Sequence, residues 1–113
     1  MLRPGKRKNI WQLKYRLMTY KLKFLPSAKK EWDKLDSSIK TQFKNKLKKC
    51  LENPHIQPNK LRGFDNAYKI KLRSAGYRLV YEINNQEVVV FVIVVGKREN
   101  NKIYDKAINR TKT

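Results

Sequence analysis

Tyr68-Lys69-Ile70-Lys71-Leu72-Arg73-Ser74-Ala75-Gly76-Tyr77-Arg78-Leu79-Val80-Tyr81 decides the fold, because it joins a turn signal to an alternation of apolar and cationic residues. Side chains along a strand point to alternate faces, so Ile70 and Leu72 go one way and Lys69, Lys71 and Arg73 the other. A two-residue loop at Ala75-Gly76 sets Ser74 against Tyr77, Arg73 against Arg78, Leu72 against Leu79 and Lys71 against Val80. One face then collects Tyr68, Ile70, Leu72, Leu79 and Tyr81. The other collects Lys69, Lys71, Arg73 and Arg78, beside Val80 and Glu82. A three-residue loop would turn Arg78 into the apolar face and is rejected. Like charges opposed across strands are unfavourable, on the order of the 0.2–1 kcal/mol that cross-strand pairs are worth. The hairpin alone leaves two readings of the cluster: the solvated face of a half-buried sheet, or an anion site.

Composition narrows the partners. The chain has 113 residues, 40% of them hydrophobic, which suits one domain with a modest core. Its 28 Lys and Arg against 9 Asp and Glu give a formal net charge of +19. Such a surface draws polyanions, so RNA, DNA, a ribosome or an acidic protein are the expected partners. Cys50 is the sole cysteine, which excludes an internal disulfide and a cysteine zinc cage and fits a reducing, cytoplasmic setting. The longest apolar run, Val88 to Val95, is too short to span a bilayer and too β-branched for a helix; it reads as a buried strand. Lys14 and Arg16 interrupt what a secretion signal would need as an apolar region.

Residues 1–17 carry six basic residues and no acidic one, and read as a basic extension preceding a domain over 18–113. Thr19 to Phe24 alternates Tyr20, Leu22 and Phe24 with lysines, as a half-buried strand does. After Leu25-Pro26, Ser27 is a candidate N-cap, and Ala28, Trp32, Leu35 and Ile39 follow at helical spacing. Asp36-Ser37 divides the run into two helices, the second with Ile39, Phe43, Leu47, Cys50 and Leu51 on its core stripe and Lys40, Lys44, Lys46, Lys48 and Lys49 around it. Asn53-Pro54 ends it. A loop anchored by Leu61 and Phe64 leads to the hairpin. Asn84-Asn85-Gln86 turns the chain into Glu87 to Gly96, which is apolar on both faces and therefore predicted to be central, between the hairpin and the first strand. Ile103, Tyr104, Ala107 and Ile108 predict a short C-terminal helix.

His55 is the only histidine, so a two-histidine nuclease and a multi-histidine metal site are excluded. The carboxylates are scattered, with no pair suited to two metals, and no glycine-rich phosphate loop is present. RNA nevertheless carries its own nucleophile in the ribose 2′-OH. A protein need only supply a base for that proton, cations for the charge growing on phosphorus and an acid for the leaving 5′ oxygen. Lysine, with an ordinary pKa of about 10.4, is a poor base until neighbouring cations disfavour its charged form. Lys69 and Lys71 with Arg78 across the hairpin fit that requirement.

Asn59-Lys60-Leu61-Arg62-Gly63, Tyr68 to Ser74, Gly76 to Tyr81, Val88 to Ile93 and Gly96-Lys97-Arg98-Glu99, together with Lys30-Glu31-Trp32 and Lys34-Leu35, closely resemble the RelE toxins of bacterial toxin–antitoxin systems over about residues 18–110. The resemblance implies a metal-independent, ribosome-dependent endoribonuclease that needs no cofactor and cuts mRNA in the ribosomal A site, leaving a 2′,3′-cyclic phosphate. It implies Lys69 as general base, Lys71 and Arg78 as transition-state stabilisers, Arg98 near the leaving oxygen and Tyr104 orienting a base. Arg62 matches a supporting basic residue. Lys60, Arg73, Lys44 and Lys48 are expected to contact RNA or ribosome. The implied partner is a RelB-like antitoxin whose helical, acidic segments wrap the toxin.

The expected fold is α+β, β-α-α-β-β-β-α, with an antiparallel sheet of about four strands, two helices on one face and the cationic face open. Two alternatives remain open at this point: a toxin of the same fold that inhibits DNA gyrase without cutting RNA, and a basic RNA- or ribosome-binding protein without chemistry.

Overall fold

The computed structural model describes residues 19–99 and 102–111, so the basic extension at residues 1–17 lies outside the described residues. Strand β1 (Lys21–Phe24) leads into helix α1 (Pro26–Asp33) and helix α2 (Ser37–Glu52). A 3-10 turn (Gln57–Asn59) precedes strands β2 (Ala67–Leu72), β3 (Tyr77–Asn84) and β4 (Val89–Lys97), and helix α3 (Lys102–Thr111) closes the order. The break at Asp36 falls where the sequence placed it. Ser27 is not the N-cap of α1; Leu25 holds that position, and Pro26, which lacks an N–H, takes the first turn.

The sheet order is β1-β4-β3-β2, so the doubly apolar strand is central as expected. The sheet is mixed, however, because β1 runs parallel to β4, with Lys21 opposite Val89 and Phe24 opposite Val92. This corrects the expected all-antiparallel sheet. The reason is the path of the chain: β2, β3 and β4 alternate in direction, and the helical crossover through α1 and α2 lets β1 run the same way as β2.

The hairpin register also differs from the two-residue loop. Leu72 pairs with Tyr77, Lys71 with Arg78 and Lys69 with Val80, leaving Arg73 to Gly76 as a four-residue turn. The Gly76 amide donates to the Leu72 carbonyl at 2.8 Å, and Gly76 takes φ +70°, which a side chain would disfavour. The slip is by two residues, so every side chain keeps its predicted face and Lys69, Lys71 and Arg78 remain together.

The helix-side core joins Ala28 and Trp32 of α1 and Ile39, Phe43, Leu47 and Cys50 of α2 to Tyr68, Ile70, Leu72, Leu79, Tyr81, Val90 and Val92 of the sheet. Burial raises the pKa of the Cys50 thiol, in keeping with a packing role. The opposite face is not open. Ile103 and Ala107 of α3 bury Val80, Ile93 and Val94 there, with Leu61 and Phe64 of the loop before β2 packed against them. An amphipathic helix has to cover some apolar surface, and the only sheet face left for α3 is the one carrying the cations.

Candidate functional site

Three features put cations and an aromatic ring into one cleft. Parity puts Lys69 and Lys71 of β2 and Arg78 of β3 on the α3 side of the sheet, with Lys71 directly across from Arg78. Arg78 in turn lies opposite Gly96 of β4. A Cβ at Gly96 would come within 3.2 Å of Ile103 Cδ1, so the bare backbone there gives α3 a close fit against β4. Tyr104, the next residue along, then stands with its ring centre 6.0 Å from Lys69 Nζ. Arg98 leaves the end of β4 with its amide bonded to the Gly76 carbonyl at 2.8 Å, which ties that exit to the hairpin turn.

The electrostatics follow from this crowding. The Lys71 pKa is lowered from the ordinary lysine value, chiefly by the positive charge of Lys69, then by partial desolvation and by Arg73, Arg78 and Arg98. The amine that the cluster pushes towards its neutral form is therefore Lys71. Arg78 is only 7% exposed. Its NH1 donates to the Tyr77 carbonyl at 2.9 Å, its Nε has no partner, and among the described residues no carboxylate pairs with it. A buried guanidinium in this condition carries an unrelieved desolvation cost. An anion in the cleft would offset that cost.

The other sequence candidates divide. Lys60 forms an antiparallel bridge to Tyr68 along the outer edge of β2. With Arg62 it lines a shallow pocket in the loop whose Leu61 and Phe64 pack on the α3 side. Lys44 and Lys48 fall elsewhere: they rim an apolar groove of about 240 Å³ formed by Leu22, Phe24, Trp32, Leu47 and Leu51 on the helix side. Helical spacing could not show that these two lysines lie across the sheet from the cleft.

Sequence reasoning missed Lys46 as a site-adjacent residue. Its ammonium donates to the Lys71 carbonyl at 3.1 Å, and with Gln42, Asn59, Arg73 and Ser74 it borders a polar cleft of about 540 Å³ beside the turn. Nothing in the local pattern separates it from Lys44, Lys48 or Lys49. His55 does not enter the cleft. It packs edge-on between Tyr20 and Tyr68, and Tyr68 stacks on Tyr81. Among the described residues no group of three or more His, Cys, Asp or Glu comes together, and no helix is long and apolar enough to cross a membrane.

This arrangement invites comparison with known proteins. The family described as "ParE toxin of type II toxin-antitoxin system, parDE" matches residues 22–102. The protein "mRNA interferase toxin RelE" of Escherichia coli (strain K12) is 55% identical over 93 residues, covering 82% of this chain and 98% of its own length. The chain belongs to the RelE family of type II toxins. Solved structures agree. An E. coli RelE mutant in the free state superposes with a TM-score of 0.76 at 53% identity, covering 81% of this chain and 97% of that one. RelE in the intact E. coli RelBE toxin–antitoxin complex gives a TM-score of 0.70 at 57% identity, covering 72% and 99%. The family match at residues 22–102 spans the whole cationic hairpin and ends at the first residue of α3.

Proposed function

We propose that this RelE-family chain is the toxin of a toxin–antitoxin pair and an endoribonuclease that cuts mRNA in the ribosomal A site. The observation that carries the reading is Arg78, buried and without an anionic partner, directly across from the lysine whose charge its neighbours disfavour. A scissile phosphate over this hairpin supplies the missing anion. The 2′ oxygen attacks phosphorus, the O2′–P bond forms and the P–O5′ bond breaks, giving a 2′,3′-cyclic phosphate and a 5′ hydroxyl. Lys69 accepts the 2′ proton, and Lys71 and Arg78 stabilise the charge on the phosphoryl oxygens. Arg98 stabilises the charge on the departing 5′ oxygen, which takes its proton from water to become the 5′ hydroxyl, and Tyr104 stacks on a base, an aromatic platform that accepts any nucleotide.

The relatives named above support an mRNA substrate and an antitoxin of the RelB kind as partner. With a net charge of +19, the chain favours both an acidic antitoxin and ribosomal RNA. Arg62 and Lys60 at the loop, and Arg73 at the turn, extend the basic surface around the cleft. A loosely equipped acid–base set that gains from a substrate already bent by its host accounts for ribosome dependence. Action on translating ribosomes places the protein in the cytoplasm.

The test is to supply purified protein to ribosomes carrying a defined mRNA and map the new ends. Lys69→Ala, Lys71→Ala and Arg78→Ala are expected to lose cutting far more than ribosome binding. Cutting at the wild-type rate in all three would overturn the mechanism, and inhibition of DNA supercoiling without RNA cleavage would favour the gyrase alternative.

A further inference from the structure

We propose that Glu31 and Arg110 form an ion-pair latch that positions Tyr104 for cleavage; the inference rests on the part given to Tyr104 above. Strand β1 has only four residues, and its pairing with β4 stops at Phe24 opposite Val92. Beyond that point β4 has, among the described residues, no strand on its outer side, and its register with β3 slips between Val80–Val94 and Tyr81–Val92. Through this gap the two faces of the sheet meet. Arg110 of α3 donates from NH1 to Glu31 Oε1 of α1 at 2.8 Å and from NH2 to Oε2 at 3.0 Å. The same two side chains take up the backbone groups that β1 leaves unpaired. Arg110 NH1 donates to the Ile93 carbonyl at 2.8 Å, and the Val95 amide donates to Glu31 Oε1 at 3.3 Å. Lys106 Nζ lies 3.8 Å from Oε2.

Both side chains of the pair are 22% exposed, so this is not one of the freely solvated surface pairs that contribute little. Two parallel charge-assisted bonds fix orientation as well as distance. Tyr104 lies six residues before Arg110, about 9 Å along the helix at 1.5 Å per residue. Ile103, buried with Val80, Ile93 and Val94, holds one end of α3 and the latch holds the other. Together they set the rotation and height of the helix, and with them the place of the Tyr104 ring over Lys69.

The test uses the whole protein with two readouts. Glu31→Gln is expected to speed amide exchange in α3 by about tenfold or more while β3 and β4 keep theirs, as local opening of one element requires. It is also expected to lower kcat for ribosome-bound mRNA with KM unchanged, and to add no further loss in a Tyr104→Ala background. Arg110→Lys keeps the charge but loses the fork, and is expected to fall between; it carries the same comparison if Glu31→Gln folds poorly. Asp33→Asn on the same helix is the control, expected to change neither readout. Unchanged α3 exchange, or an equal fall in kcat with and without Tyr104, overturns the latch. Wild-type cutting by Tyr104→Ala alone removes instead the reading on which it rests.

Discussion

Replacing Arg78 with methionine is expected to make the protein more stable and inactive at the same time. Arg78 is 7% exposed, and among the described residues its buried Nε is unpaired and its NH1 bonds to the carbonyl of its own neighbour, Tyr77. An unsatisfied buried donor costs about 1–3 kcal/mol, more when it is charged, and the lost bond to Tyr77 gives back about 1. Exchanging buried charges for apolar residues of similar volume is often neutral or stabilising by about 1–4 kcal/mol. A net gain of about 1–2 kcal/mol follows, and at about 4–8 °C per kcal/mol for a domain this small the melting temperature rises by roughly 5–15 °C. The assay is thermal denaturation of wild type and Arg78→Met at pH 7, with and without inorganic phosphate, beside end-mapping on programmed ribosomes. Phosphate should raise the wild-type melting temperature, as any ligand of the native state does, and leave Arg78→Met nearly unmoved. A melting temperature lowered in Arg78→Met would refute the reasoning, because it would mean that the arginine is held by contacts that stabilise the fold.

Three further outcomes follow from other parts of the molecule. The Lys71 pKa is lowered with the charge of Lys69 as its first cause, so the pair gives up its first proton below the ordinary lysine range and the cleavage rate should climb with pH through that step; a rate independent of pH would contradict it. The same shift makes stability rise with pH between the lowered value and the unfolded value of about 10.4, because the unfolded chain binds more protons there; a melting temperature that falls across this window would contradict it. Val88 takes φ +57°, which costs a side-chain-bearing residue roughly 1–2 kcal/mol, so Val88→Asn should melt a few degrees higher, and a lower melting temperature would count against the strain. Tyr81 donates from its hydroxyl to the Pro54 carbonyl at 2.7 Å, deep in the helix-side core. Tyr81→Phe removes that bond and leaves the carbonyl only the Ile56 amide at 3.0 Å, and should destabilise by about 0.5–1.5 kcal/mol in urea denaturation without altering cutting at low temperature.

Much of this was legible because it depends on local period. The parity of Lys69, Lys71 and Arg78, the stripe from Ile39 to Cys50 and the central place of Val89 to Val95 each follow from residues close in sequence. What was not legible depends on where distant elements meet. The direction of β1 is set by a partner at Val89 to Val92, and no property of residues 21–24 encodes it. The helix at Ile103 to Ala107 could be read, but not that it would lie on the cationic face of the sheet, with Tyr104 beside Lys69. The same limit applies to Glu31 and Arg110, which sit in ordinary charged surroundings in the sequence and become partners only through the gap left by a short strand.

The central strand also bears on when the protein becomes dangerous to its host. Among the described residues β4 is the last strand to be synthesised, yet β1 has no other strand beside it and β3 is only half paired without it. A nascent chain still threaded through the ribosome that is making it therefore holds a loose hairpin and two helices with no finished sheet to rest on. The cutting surface therefore comes into being only after β4 has followed the hairpin out of the ribosome, and until then the machine that makes the enzyme is spared.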